Sequence, residues 1–250
     1  MPLGWFGGLA LREKNPVRMK GGWHECHPYR LCFMEHALEA KRFTLTYPGM
    51  ETPVFAPLDF AVAEGEAVAL RGDSGAGKSS LLLCACGLIP GSVEAAIAGE
   101  IRLFGRPPGE YTRAALTQTV GLVFQNPEAQ LFCGTAALEA AFGPENLCLP
   151  PDEMRARVRG ALETVGLWAR RGDAPSVLSG GQKQLLALAA VLALRPRLLL
   201  LDEALSQLDD QSAARMMGVL AQLKRGGQTM LFVDHDDARR KLLADREIWL

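Results

Sequence analysis

The sequence predicts an α/β protein whose central sheet is mostly parallel, with a helical second lobe. Three observations indicate this class. Short, continuously apolar segments such as the leucine run 198–201 are typical of parallel strands that are buried on both faces. These segments alternate with helical patterns, and a mostly helical stretch separates the two strand-containing parts of the chain. The length of 250 residues suits one α/β domain with an attached lobe.

The first half of the chain begins with strand patterns and a short helix. We expect strands at residues 37–47, 58–62 and 66–71, a helix at 78–87 and another strand near 120–124, because apolar runs and turn residues alternate there. A helical pattern follows over roughly 135–168. We expect it to be broken at Gly143-Pro144 and at Pro150-Pro151, because glycine and proline interrupt helices.

The alternation resumes in the last third of the chain. The glycines at 180 and 181 precede an apolar helical pattern, so a helix is expected after Gly181. The remaining expected elements are a strand at 197–201, a helix at 209–224, a strand at 229–233 and a final strand near 247–250. The chain contains no internal repeat.

Composition narrows the classes of partner and location. Lysine plus arginine number 27 and aspartate plus glutamate 28, so the chain lacks the basic balance typical of nucleic-acid binding. The apolar stretch 185–201 is interrupted by Arg195, Pro196 and Arg197, which excludes one bilayer-spanning helix there. No basic segment or cleavage site marks a signal peptide. We therefore expect a cytoplasmic protein.

The cysteines are spaced irregularly and do not resemble a secreted disulfide framework. We expect them to be reduced, structural thiols. The C-x-C pair in residues 84–86 is not expected to share a metal, because positions i and i+2 of a helix face different directions. The six are Cys26, Cys32, Cys84, Cys86, Cys133 and Cys148.

Residues 1–33 are rich in glycine and tryptophan and show no stable period. We expect a disordered extension, and we hypothesise that translation starts at Met34. The cluster His24-Glu25-Cys26-His27 could be imagined as a metal site, but its residues are too crowded for a closed tetrahedral site.

A glycine-rich loop between an expected strand and helix matches the phosphate-loop pattern G-x-x-x-x-G-K-[ST]. Backbone N–H groups and the helix N-terminus would surround the phosphates, Lys78 would supply a positive charge, and Ser79 would bind Mg²⁺. The alternative is a glycine-rich turn that binds no nucleotide. The expected ATP-binding residues of the loop are Gly72, Asp73, Ser74, Gly75, Ala76, Gly77, Lys78, Ser79 and Ser80.

The leucine run 198–201 leads directly into Asp202 and Glu203. A buried strand would deliver both carboxylates to the crevice where open α/β sheets bind ligands. Asp202 would hold the Mg²⁺ shell, and Glu203 would polarise the attacking water. The alternative is a strand that ends in two solvated acids.

A turn precedes the helix that is expected after Gly181, and it can present N–H groups and a hydroxyl to a phosphate. Its residues are Leu178, Ser179, Gly180, Gly181 and Gln182. With the two preceding motifs in this order, the turn resembles the signature of ATP-binding cassette (ABC) ATPases. The resemblance implies a P-loop NTPase fold of the ABC type over residues 34–250. The resemblance also implies an antiparallel β subdomain and an α-helical signature subdomain at about 126–190.

The resemblance extends from Tyr47 to His235. It implies that Tyr47 stacks on adenine, that Gln125 contacts the metal and the attacking water, and that His235 contacts the γ-phosphate. Residues 206–209 resemble the D-loop, which makes Asp209 a candidate nucleotide-site residue. The alternatives to these roles are that Tyr47 is only an aromatic residue of a turn and that His235 has only a structural role.

Residues 124–132 and 142–147 are similar to the Q-loop region of the ATPases of energy-coupling factor (ECF) importers, which take up vitamins or cobalt and nickel ions. This implies a second ABC ATPase, identical or different, a transmembrane coupling subunit and a substrate-binding membrane subunit. It also implies a place on the inner face of the membrane. Leu131 and Phe132 would form a docking surface or, equally, a contact within the lobe.

Several residues depart from the family pattern. Ala204 replaces the usual proline, Asp234 stands where threonine is common, and Leu185 stands where an arginine often occurs. ECF ATPases also usually continue into a C-terminal segment, so the chain is expected to dimerise differently or to be incomplete. Two alternatives stay open: a soluble, non-transport ABC ATPase and a nucleotide-binding regulatory module with little turnover.

Overall fold

Two β-sheets and eight α-helices organise residues 36–250, the part of the chain that this computed structural model describes. The strands are β1 His36–Thr46, β2 Leu58–Ala63, β3 Ala67–Arg71, β4 Ala96–Leu103, β5 Val120–Val123, β6 Leu198–Asp202, β7 Thr229–Val233 and β8 Arg246–Trp249. The α-helices are α1 Lys78–Ala85, α2 Leu88–Gly91, α3 Arg113–Thr119, α4 Ala136–Asn146, α5 Pro151–Thr164, α6 Gly180–Leu192, α7 Asp210–Arg225 and α8 Asp237–Leu243.

The larger sheet is parallel and has the strand order β5-β6-β7-β3-β8. Its inner strands are the continuous apolar runs of the sequence, and β6 and β7 are buried almost throughout. This confirms the parallel sheet. Because all five strands run the same way, the loops that follow β3, β5, β6 and β7 leave from one edge.

The smaller sheet is antiparallel, with β1 between β2 and β4. Apolar residues of β1 are fully buried and pack towards α1 and β3. Strand β4 was not expected from the sequence. It lies at the edge of the sheet and carries Gly99, Glu100 and Arg102 among its apolar residues, so it lacks a clean apolar pattern.

Helices α4, α5 and α6 pack around a shared apolar core. The expected break at Pro150-Pro151 is confirmed, since Pro151 is the first residue of α5, where its missing N–H costs nothing. The expected break at Gly143-Pro144 is wrong. Helix α4 continues through Pro144, and the Leu147 N–H still donates to the Gly143 carbonyl at 3.1 Å. The bounds predicted for a helical subdomain, 126–190, stay a prediction.

Helices α3 and α8 were also not expected from the sequence, because each is only seven residues long. Among residues 36–250, no helix has the length and apolar character needed to cross a bilayer. Residues 1–33, with the 24–27 cluster and Cys26 and Cys32, lie outside the described residues. Burial raises the pKa of the Cys84 and Cys86 thiols to about 12, which keeps both protonated.

Candidate active site

The phosphate loop lies between β3 and α1. Gly72, Gly75 and Gly77 have φ values of 150°, 82° and 90°, which glycine adopts without a Cβ penalty. The buried Lys78 folds back into the loop, and its Nζ donates to the carbonyls of Gly72 and Asp73 at 2.9 and 2.8 Å. The loop therefore holds an ammonium group at the start of a helix.

Helix α1 adds its N-terminal end to this loop. No residue of its first turn is acidic, so the helix itself does not neutralise its free N–H groups and positive dipole end. The arrangement fits a phosphate group.

Ser79 and Asp202 meet beside the loop, and the Ser79 hydroxyl donates to Asp202 Oδ1 at 3.0 Å. Burial raises the pKa of Asp202, the neighbouring Glu203 carboxylate raises it further, and the hydrogen bond from Ser79 opposes both effects. A hydroxyl and a carboxylate oxygen are donors that Mg²⁺ prefers. The pair therefore fits a Mg²⁺ ion that is shared with substrate phosphates.

Glu203 follows Asp202, and its carboxylate is held on both sides. Gln125 Nε2 donates to its Oε2 at 3.0 Å, and His235 Nε2 lies 2.9 Å from its Oε1. A carboxylate that accepts here requires the imidazole form with a proton on Nε2. The three side chains that we expected to act together are thus in direct contact.

The backbone at Glu203 is unusual. Its φ is +49°, a left-handed conformation that costs a residue with a side chain about 1–2 kcal/mol. Ser206 stabilises the turn by donating from its N–H and its hydroxyl to the Glu203 carbonyl, at 3.0 and 2.9 Å. Unfavourable backbone conformations of this kind persist where the surrounding contacts enforce them, and they are often found at functional sites.

Tyr47 follows directly after β1, and its hydroxyl donates to Ser80 Oγ at 2.9 Å. This bond places the tyrosine against the first turn of α1, next to the phosphate loop. Its adenine-stacking role stays a prediction. Ser74 and Ala76 lie in the loop itself.

The signature turn caps α6. Ser179 Oγ accepts from the Gln182 N–H, and Gln182 Oε1 accepts from the Ser179 N–H at 3.0 Å and from Arg170 Nη1 at 2.7 Å. A Cβ on Gly180 would meet open space, whereas one on Gly181 would lie 2.1 Å from Ser212 Oγ. Gly181 is thus tightly packed, and Gly180 is accessible.

Asp209 caps α7. Its carboxylate accepts from the N–H and the hydroxyl of Ser212 at 2.9 and 2.8 Å, which lowers the pKa of Asp209. Within residues 36–250, no hydrogen bond joins Asp209 or the signature turn to the phosphate loop. The structure therefore brings Lys78, Ser79, Asp202, Glu203, Gln125 and His235 together. Gly180 of the signature turn lines a surface pocket with Gln125, but in the described part of the chain the turn makes no hydrogen bond to the phosphate loop.

Sequence reasoning missed several polar residues that support the site. The buried Gln184 donates to the Phe124 carbonyl at 2.8 Å, and Lys183 pairs with Glu128, so α6 is tied to the loop that carries Gln125. Asp234, noted in the sequence only as a departure, pairs with Arg239 at 2.9 Å. These pairs join residues that are distant in sequence or hidden by burial, and no local pattern marks them.

An exposed apolar patch lies near the loop that carries Gln125. It consists of Phe132, Leu138 and Phe142. The rings of Phe132 and Phe142 meet edge to face, with centroids 4.7 Å apart, and their residues are 66% and 46% exposed. The buried Glu139 carboxylate accepts from the N–H groups of Phe132 and Cys133 at 2.9 and 2.7 Å. Phe132 is thus held at the surface rather than in the core of the lobe.

Comparison with known proteins gives a consistent result. The ABC transporter family profile matches residues 55–206. The energy-coupling factor transporter ATP-binding protein EcfA of Methanocaldococcus jannaschii is 38% identical over 214 residues, which cover 84% of this chain and 74% of that protein. An ABC transporter ATP-binding protein of Methanosarcina acetivorans is 38% identical over 212 residues, 84% of this chain and 33% of its own length. This chain therefore spans about a third of that relative.

Two solved structures share the fold. One is cbiO1 from Clostridium perfringens, described as part of the ABC transporter complex cbiONQ; it has 29% identity and a TM-score of 0.75, over 86% of this chain and 84% of that one. The other is a dimeric ATP-binding cassette in a post-hydrolysis state with ADP and Pi, with 26% identity and a TM-score of 0.72 over 85% and 94%. From the profile match and these relatives, the chain belongs to the ABC transporter family, as an ATP-binding protein of the ABC ATPase fold.

Proposed function

We propose that this chain hydrolyses MgATP as one half of a two-domain ABC sandwich. The observation that carries the proposal is the Glu203 carboxylate, held between Gln125 and His235 at 3.0 and 2.9 Å beside the Ser79–Asp202 pair. This arrangement combines a phosphate-binding loop, oxygen donors for a divalent cation and a carboxylate that can accept a proton.

Each residue has a distinct part in the proposed reaction. Lys78 and the loop N–H groups would hold the phosphates and offset their charge. Ser79 and Asp202 would hold Mg²⁺, which supplies charge stabilisation for the transferred phosphoryl group. Glu203 would accept a proton from the attacking water, a contribution of about 10²- to 10⁴-fold in rate. Gln125 and His235 would keep that carboxylate oriented.

The proposed site needs a second domain. The signature turn makes no hydrogen bond to the phosphate loop within residues 36–250, and Gly180 is accessible. We propose that Ser179, Gly180, Gly181 and Gln182 contact the nucleotide of a partner ATPase, either a second copy or a different chain. The dimeric structure of the related ATP-binding cassette supports this arrangement.

The test compares the full chain with Glu203→Gln, and with Glu64→Gln as a control. Glu64 forms a surface ion pair with Arg197, so its change removes a carboxylate outside the site. Glu203→Gln should lower steady-state ATPase activity by about 10²-fold or more and shift the chain to a dimer in MgATP during size-exclusion chromatography. Glu64→Gln should do neither.

Wild-type turnover that survives Glu203→Gln would contradict the role of Glu203. A chain that neither hydrolyses ATP nor dimerises would contradict a homodimer and would support a different partner ATPase. A chain that binds ATP with negligible turnover in the presence of its partners would support the regulatory module instead.

We further propose that the chain energises an ECF-type importer of a vitamin or a transition-metal ion, at the cytoplasmic face of the membrane. Its EcfA relatives support this. The apolar patch also supports the ECF assignment, because Phe132, Leu138 and Phe142 are exposed apolar side chains next to the Gln125 loop. We assign the patch to the transmembrane coupling subunit; a separate membrane subunit would bind the substrate.

The test of this assignment is co-purification from membranes in mild detergent, using Phe132→Ser. Leu242→Ser is the matched control, because Leu242 is also strongly exposed but lies on α8. Phe132→Ser should reduce recovery of membrane subunits, and Leu242→Ser should not. Equal recovery with both variants would refute the docking role of the patch. The absence of membrane proteins with the wild type would favour a non-transport ABC ATPase.

A further inference from the structure

The carboxylate of Asp234 is one of the most tightly held groups near the site. Its side chain is 3% exposed. Arg239 Nε donates to Oδ2 at 2.9 Å, and Arg239 Nη2 and the Asp236 N–H donate to Oδ1 at 3.0 and 2.9 Å. Asp234 lies between the last residue of β7 and His235. The side chain next to His235 is thus clamped by an arginine from α8.

The backbone of this segment is held from the same helix. The buried Arg240 donates from Nη1 to the Asp234 carbonyl at 2.6 Å, and Arg240 itself pairs with Asp237 and Glu247. Asp236 caps α8 by accepting from the Arg239 N–H at 2.9 Å. Both the side chain and the carbonyl of Asp234 are therefore tied to α8.

His235, in contrast, has little support of its own. Its side chain is 57% exposed, and within residues 36–250 its imidazole makes one hydrogen bond, to Glu203. An exposed side chain that is held by one hydrogen bond depends largely on its backbone for its direction. The direction of His235 is set by the residues before and after it, and these are the residues that α8 holds.

Asp234 also creates a need for Arg239. A buried carboxylate without a partner is costly, and the guanidinium of Arg239 supplies two parallel donors to it. An uncharged residue at position 234 would have no such need. The loop around His235 in this chain therefore depends on an ion pair that a threonine at position 234 would make unnecessary.

We infer that Arg239 is a positioning residue for ATP hydrolysis, acting through Asp234 to aim the His235 imidazole at Glu203. The inference rests on the proposed function of the site. Arg239 does not contact Glu203, so its removal should affect the chemical step through the histidine rather than through ATP binding.

The experiment uses the full chain, with its partner ATPase if turnover requires one. The variants are Arg239→Gln, Arg239→Lys and the double change Asp234→Thr with Arg239→Gln. The control is Arg157→Gln, because Arg157 also donates from Nε and Nη2 to a carboxylate, that of Glu153, at 3.0 and 2.6 Å. That pair lies on α5, away from His235.

Two readouts separate positioning from stability. The first is kcat and KM for ATP. Arg239→Gln should lower kcat by about 10- to 100-fold, as expected for a misplaced reacting group, while KM changes by less than about 3-fold. Arg239→Lys should recover part of the loss, because lysine keeps the positive charge beside Asp234. The recovery should be incomplete, because lysine lacks the planar fork of two donors. The double variant should recover more, because it leaves no unpaired carboxylate.

The second readout is the imidazole ¹⁵N signal of His235, assigned with His235→Asn. Arg239→Gln should shift this signal, and Arg157→Gln should not. Equal loss of kcat in Arg239→Gln and Arg157→Gln, or an unshifted His235 signal in Arg239→Gln, would overturn the inference. If the wild type hydrolyses no ATP, the proposed function fails, and the imidazole signal alone decides whether Arg239 aims the histidine.

Discussion

Gly77→Ala tests how closely the phosphate loop packs on the segment between β1 and β2. Gly77 has a φ of 90° and precedes α1, and alanine in a left-handed conformation costs about 1–2 kcal/mol. Its Cβ would also lie 2.5 Å from Val54 Cγ1 and 2.7 Å from Phe55 Cδ1. Overpacking of this kind costs about 1–3 kcal/mol. The sum is about 2–5 kcal/mol of unfolding free energy, a large share of a typical 5–15 kcal/mol.

Gly75→Ala is the matched control for this change. Gly75 lies in the same loop and has a φ of 82°, but a Cβ there would meet no atom within 4 Å. Only the backbone cost of about 1–2 kcal/mol should apply. Urea unfolding of both variants without nucleotide should therefore place Gly77→Ala about 1–3 kcal/mol below Gly75→Ala.

An equal loss of stability in the two variants would refute the reasoning. It would mean that the segment containing Val54 and Phe55 yields to the added methyl group without cost, and that the close approach at Gly77 does not constrain the fold. A loss confined to ATP binding would have the same meaning.

Three further outcomes are expected. Gly181→Ala should lower the unfolding free energy by about 1–3 kcal/mol through overpacking against α7, whereas Gly180→Ala, with open space around it, should not; urea midpoints compare them. Asp202→Asn should leave the nucleotide-free chain at least as stable as wild type, because burial raises the pKa of Asp202 and its ionised form therefore opposes folding. It should also abolish the rise in melting temperature with MgATP, and a lower nucleotide-free melting temperature would contradict this account. Finally, stability should fall as the pH drops below the ordinary pKa of glutamate: burial raises the pKa of Glu66, but hydrogen bonds from Arg246 and a backbone N–H outweigh it and lower that pKa. The stabilising ionised form is thus lost on acidification, and an unchanged acid dependence of the urea midpoint in Glu66→Gln would rule out this contribution.

Much of the fold could be read from local patterns. The strand expected at 229–233 matches β7, and the strand expected at 197–201 differs from β6 by one residue at each end. Strongly apolar runs of this kind are buried on both faces, so their period and length suffice to place them. The short helices α3 and α8 and the edge strand β4 carry weaker patterns and were missed.

The continuation of α4 through Pro144 shows where local rules fail. Proline removes one N–H from the helix, but the packing of α4 on α5 and α6 outweighs that loss. Gly143 packs closely against the segment that follows α6, since a Cβ there would come 2.6 Å from Leu194 Cδ2. A residue that predicts a break in isolation thus marks a close contact in the folded chain.

The amino-acid sequence was sufficient for the parts of the site that are contiguous in the chain: the phosphate loop, the Asp202-Glu203 pair and the signature turn each carry their chemistry in neighbouring residues. The contacts of Glu203 with Gln125 and His235 depend instead on strand order, because β5, β6 and β7 lie side by side in the sheet. The pairing of Asp234 with Arg239 and the exposure of Phe132 likewise became visible only in three dimensions. Burial and long-range contact are properties of the packed chain, and no local period encodes them.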